Sequence, residues 1–154
     1  MANTKVFILE DENIVAKDIE QSLKKLGYEV IGTASSGEKV KELLESGLKP
    51  EIFLMDIMIK GSMDGIEVAE YVKENYNLPV IFLTAYADEN TLSKAKITEP
   101  YGYILKPFKE IDLHTTIEMA LYKHQKTAEM KKELDVYSTL VSESENGKDY
   151  IFVK

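Results

Sequence analysis

Ile52-Phe53-Leu54-Met55-Asp56 is a run of four apolar residues closed by a carboxylate. A half-buried strand would alternate apolar and polar side chains. An unbroken apolar run points to a strand covered on both faces, as in a parallel sheet. The same form recurs outward in both directions. Val6-Phe7-Ile8-Leu9 runs into Glu10-Asp11, Val80-Ile81-Phe82-Leu83 into Thr84, and Tyr103-Ile104-Leu105 into Lys106-Pro107. Strands are expected at about 4–9, 28–34, 51–56, 79–84 and 101–105 (β1 to β5). Helical patterns lie between them at about 13–26, 37–46, 65–76, 88–98 and 110–133 (α1 to α5). Five βα units in succession predict an α/β fold, a doubly wound five-stranded parallel sheet.

The helix limits have physical causes. Ile14 or Val15, Ile19, Leu23 and Leu26 recur at helical spacing, and Gly27 supplies a left-handed stop. Ser36 is placed to cap α2, Asp64 to cap α3 and Asp88 to cap α4. On α5, Leu113, Ile117, Ala120 and Leu121 form an apolar face that thins beyond Tyr122, so packing is expected to end near residue 124. Glu143 to Lys148 reads as polar and turn-like. Tyr150-Ile151-Phe152-Val153 reads either as a frayed tail or as the first strand of a further module. The expected organisation is therefore a domain over residues 1–124 and an extension over 125–154.

Composition narrows the chemistry. The chain has 154 residues, 44% of them hydrophobic, enough for one packed core. A formal charge of −8 argues against nucleic-acid binding by this chain itself, since phosphates need a basic face. It has no cysteine, which removes disulfides, thiolate metal sites and cysteine nucleophiles. There is no signal-peptide pattern and no apolar run near the roughly 20 residues of a membrane span, so the expected compartment is the cytoplasm.

In an open parallel sheet, ligands bind at the rim formed by the carboxyl ends of the strands. Glu10, Asp11, Asp56, Thr84 and Lys106 all stand at such ends. Asp56 by itself could be a turn cap, and Glu10 and Asp11 could simply suit the first turn of a helix. Converging, the three carboxylates repel by about 1–4 kcal/mol per pair near 4 Å. A hard dication with oxygen ligands relieves this, which suits magnesium, with manganese able to substitute. Lys106 can reach over the rim as a point charge for a phosphoryl group, and Pro107 can aim it, through a cis bond if one is present. Thr84 can donate to a phosphoryl oxygen, and small Ala85 leaves room beside it. The kit fits attack of a carboxylate on phosphorus to give an acyl phosphate.

Leu9-Glu10-Asp11-Glu12, Met55-Asp56-Ile57-Met58, Asp64-Gly65, Leu83-Thr84-Ala85 and Leu105-Lys106-Pro107-Phe108 together resemble the receiver domain of two-component response regulators. The separations, 28 residues from Asp56 to Thr84 and 22 from Thr84 to Lys106, are typical of that family. The resemblance spans about residues 3–124 and implies the flavodoxin-like (βα)5 receiver fold. It implies that Asp56 accepts phosphate from a sensor histidine kinase. Glu10, Asp11, Asp56 and the backbone carbonyl of Met58 would form the magnesium site, Glu10 acting through water. Thr84 and Lys106 would contact the phosphoryl group, and Tyr103 would be the aromatic switch; on its own, Tyr103 reads equally as a half-buried strand aromatic. The output surface would be the α4-β5-α5 face, which also offers a homodimer contact. Such a domain is a signalling phosphoacceptor that catalyses only its own phosphorylation and dephosphorylation.

Two departures stand out. Glu10 replaces a more usual aspartate, and the loop from Ile57 to Gly65 is one residue longer than the commoner form, with Lys60 in the place of a proline. The last six residues, Asp149 to Lys154, are similar to the opening of LytTR-type DNA-binding domains, which implies a transcription regulator. Two other readings compete. A haloacid-dehalogenase-like phosphatase would want an acid where Met58 stands. A non-phosphorylated scaffold would have no use for the acidic set, Thr84 and Lys106.

Overall fold

The computed structural model describes residues 3–85 and 89–147. Chain order is β1 (Lys5–Leu9), α1 (Asn13–Lys25), β2 (Glu29–Ala34), α2 (Gly37–Glu45), β3 (Ile52–Asp56), α3 (Gly65–Tyr76), β4 (Val80–Thr84), α4 (Glu89–Ile97), β5 (Gly102–Leu105) and α5 (Glu110–Gly147). The strands form one sheet in the order β2-β1-β3-β4-β5, every pair parallel. All five residues of β3 and of β4 are buried, as an apolar run with no alternation requires.

The period of two in each strand separates two cores. Phe7, Leu9, Phe53, Met55 and Phe82 face one side, against Val40 and Leu44 of α2, Val68, Ala69 and Val72 of α3 and Ala95 of α4. Val6, Ile8, Ile52, Leu54, Ile81 and Leu83 face the other, against Ile19 and Leu23 of α1 and Leu113, Ile117 and Ala120 of α5. Each fully buried large side chain contributes about 1.5–3 kcal/mol. A one-residue slip of any strand would exchange its two sets, so this burial fixes the register. Register in turn brings the carboxyl ends of β1 and β3 side by side, Leu9 pairing with Met55. Strand order reverses between these two, which makes their crevice the expected ligand position.

Local signals behave as their chemistry dictates. Ser36 Oγ accepts from the Lys39 amide, and Asp64 and Glu67 form a reciprocal capping box. Gly27 takes φ +92° after α1. Of the two candidates on α1, Val15 packs inward while Ile14 stays exposed. The cap assigned to Asp88 and the strand at Tyr150 to Val153 lie outside the described residues.

One expectation fails. Glu143 to Gly147, read as turn-like, are helical, and α5 runs well past residue 133. From Lys123 to Asn146 the sequence holds neither Gly nor Pro, so no residue there interrupts the backbone bonds. The described residues divide into two units between Leu121 and Tyr122. The second unit carries exposed Met130, Leu134, Val136, Tyr137 and Leu140. No described helix is long and apolar enough to cross a membrane.

Gly65 sits where a Cβ would come within 2.1 Å of the Asp56 carbonyl oxygen. Gly65→Ala is expected to lower unfolding free energy by about 2–3 kcal/mol, and Asp64→Ala, which removes one cap, by about 1 kcal/mol. Urea titration of the two variants checks the order.

Candidate functional site

Three strand ends deliver the side chains. Glu10 leaves β1 with its amide held by the Ala34 carbonyl of β2 at 3.0 Å, and its residue is 2% exposed. Asp11 follows, partly buried. Asp56 is the last residue of β3, and its Oδ1 accepts from the Met58 amide at 3.0 Å. Lys106 follows β5, its own amide bonded to the Thr84 carbonyl at 2.8 Å, and the Lys106-Pro107 peptide is cis.

Glu10, Asp11 and Asp56 each present a carboxylate oxygen, and these lie within 4.8 Å of one another. The Lys106 ammonium reaches Glu10 Oε1 at 2.5 Å and Asp56 Oδ2 at 3.0 Å. Glu10 Oε2 also accepts from the Glu12 amide at 3.3 Å. With all three acids ionised, one ammonium leaves two negative charges uncompensated within a small volume at the rim. The donors are hard oxygens with no sulfur or imidazole among them, which fits a magnesium-type cation. Three carboxylates also leave positions for water, as magnesium prefers.

The ionisation of these groups is interlocked. Burial pushes the Glu10 carboxyl up; the Lys106 hydrogen bond opposes this and the Asp56 charge adds to it. Burial works to lower the Lys106 ammonium, but hydrogen bonds to Glu10 and Asp56 outweigh it and hold the group above the ordinary lysine value. Lys106 is therefore a fixed cation at neutral pH.

The surrounding residues take distinct places. Thr84 ends β4, 2% exposed, with exposed Ala85 next to it. Pro107 and the Met58 side chain are exposed at the rim. The Tyr103 ring lies against Phe82, with centroids 6.1 Å apart, and packs on the core beneath α2, α3 and α4. Burial pushes its hydroxyl's pKa up, and that oxygen has no hydrogen-bond partner among the described residues. The longer loop after Asp56 shows features that residue types did not announce. Lys60 donates its amide to Asp11 Oδ2 at 3.2 Å, Gly61 takes φ +119°, and Ser62 Oγ donates to the Glu38 carboxylate. Main-chain donors carry no residue-type signature; the only hint was the absence of a proline at position 60.

Known proteins are similar to this chain in sequence and fold. A family described as the response regulator receiver domain matches residues 6–118. The transcriptional regulatory protein PdtaR of Mycobacterium tuberculosis is 30% identical over 134 residues, covering 87% of this chain and 64% of that protein. The phyllosphere-induced regulator PhyR of Methylorubrum extorquens is 30% identical over 122 residues, 79% of this chain and 45% of that one. The chain thus spans between about half and two thirds of these relatives. Among solved structures, the signal receiver domain of a modulated diguanylate cyclase from Desulfovibrio desulfuricans superposes with a TM-score of 0.78 at 37% identity. That match covers 82% of this chain and 99% of the other.

A lysine with a raised folded pKa contributes stability that is complete below its unfolded value, 10.5, and is lost as pH climbs through the folded value. Unfolding free energy of the native chain is therefore expected to fall as pH rises above that unfolded value. The fall should be shallower in Lys106→Met. Urea midpoints above that value measure the difference in slope.

Proposed function

The chain belongs to the response regulator receiver family, and from that premise we propose that it is a phosphorylation switch with Asp56 as phosphoacceptor. The observation that carries this reading is the Lys106 ammonium bonded at once to Asp56 and Glu10, with Asp11 beside them. One Asp56 oxygen attacks the phosphorus of a phosphohistidine on a sensor kinase. The phosphorus–nitrogen bond breaks, the imidazole leaves, and an acyl phosphate forms on Asp56.

Glu10, Asp11, Asp56 and the Met58 carbonyl are the groups that would hold magnesium or manganese. Bound there, the cation supplies neutralisation of charge on the transferring phosphoryl oxygens. Lys106 is already aimed at Asp56 Oδ2, so its ammonium donates to a phosphoryl oxygen with little movement. Thr84 lies at the same rim and donates its hydroxyl to another. Ala85 leaves access, and Pro107 fixes the turn that carries Lys106.

The phosphoryl group adds about 1.5–2 negative charges to the rim. Drawing Thr84 toward them changes the space beside the Tyr103 ring, whose buried hydroxyl has no partner among the described residues. A two-state shift of the α4-β5-α5 face then carries the signal, limited by how differently the two states bind the phosphoryl group. The face would pair with a second copy, and the output would be transcriptional, as the names of the relatives imply for those proteins. The 1–124 receiver and 125–154 extension would be the signalling and connecting parts, acting in the cytoplasm. The domain turns over no substrate beyond its own acyl phosphate.

Intact-mass measurement after incubation with acetyl phosphate and magnesium tests the reading. One phosphoryl addition is expected on the native chain and none on Asp56→Asn. Absence of label on the native chain, or equal label on both, overturns it.

A further inference from the structure

The loop between β3 and α3 meets the site at a point that phosphoryl transfer itself does not explain. The Lys60 amide donates to Asp11 Oδ2 at 3.2 Å, joining positions 49 residues apart. Asp11 is absent from the described ion pairs of Lys106, which engages Glu10 and Asp56. A solvent-facing carboxylate without a fixed donor rotates among rotamers. An amide hydrogen on one oxygen selects an orientation before any ligand arrives and lowers the entropy lost on binding.

The amide is itself held in place by α2. Gly61, immediately after Lys60, runs along Glu38, where a Cβ would lie 3.5 Å from Oε2. Ser62 Oγ donates to the Glu38 carboxylate, and that bond holds the exposed carboxyl below its ordinary range. Met63 closes over Gly37, where a Cβ would come within 3.0 Å of the Met63 Cβ and 2.6 Å of Val68 Cγ2. Three consecutive loop residues are thus seated on the first turn of α2, and the residue just before them carries the donor.

We propose that the Lys60 amide is a positioning group for Asp11, set in place by α2 through Glu38 and Ser62, so that the cation affinity of the rim depends on a contact outside it. The proposal rests on the cation reading of the rim given above. It needs the Lys60 main chain and not its ammonium, and it needs the Ser62 hydroxyl.

Calorimetric titration of magnesium into the full chain separates these requirements. Lys60→Pro deletes the amide hydrogen and is expected to weaken binding about tenfold. Lys60→Ala, which returns the amide, restores native affinity. Ser62→Ala weakens binding by a smaller factor, and Ser62→Thr, which keeps the hydroxyl, restores it. At saturating magnesium, the rate of labelling by acetyl phosphate stays native in all four, because Asp56 and Lys106 are untouched. If Lys60→Pro does not fold, the Ser62 pair decides alone. Native affinity in folded Lys60→Pro or in Ser62→Ala overturns the proposal, as does a loss in Lys60→Ala equal to that in Lys60→Pro. A native chain that binds no magnesium overturns the cation reading instead, and this proposal with it.

Discussion

The Lys106 ammonium, clasped between Glu10 and Asp56, is the interaction on which the rest of the site depends. It joins β5 to β1 and β3 across 96 and 50 positions of sequence. The Glu10 side chain is wholly buried and that of Lys106 is 16% exposed. Such a pair contributes little to stability compared with apolar residues of the same shape, and breaking it strands a charge. Its value is positional. It sets a cation and two acceptors at one rim with no reorganisation left to make.

That placement is possible only because the sheet is parallel and doubly wound. Every strand then delivers its last residue to the same edge, and the reversal between β1 and β3 opens a crevice there. The two apolar sets of each strand lock register, so the acids cannot slip to another height. Beneath the rim, Thr84 and Tyr103 share the β4-β5 pairing, with Thr84 beside Leu105 and Phe82 beside Tyr103. The Tyr103 ring contacts the core, and its polar end has no partner among the described residues.

Much of this was legible in residue types. Unbroken apolar runs ending in Asp56 and Thr84 identified buried strands, whereas the run before Lys106 is an edge strand with only Ile104 buried and Leu105 exposed. Ser36 and Asp64 announced two helix starts because capping is local chemistry. Convergence of Glu10, Asp11, Asp56 and Lys106 followed from topology alone. The parts that were not legible are those made by main chain or by breadth of pattern. No residue type says that the Lys60 amide reaches Asp11. The Tyr28 hydroxyl, bonded to His114 at 3.2 Å and Glu118 at 3.1 Å, joins residues that share no motif. The far end of α5 was misjudged because the polar stretch from Glu143 onward was taken for a turn. A helix continues while nothing interrupts its backbone, and Lys123 to Asn146 include neither Gly nor Pro.

The most direct test of the central claim is paramagnetic broadening of backbone amide signals by manganese added below stoichiometry. If Glu10, Asp11 and Asp56 hold one cation beside Lys106, the amides of residues 10–12, 56–60 and 106 broaden first, and Asp11→Asn removes the effect. Broadening centred elsewhere on the chain, or broadening of the rim that persists unchanged in Asp11→Asn, would contradict it.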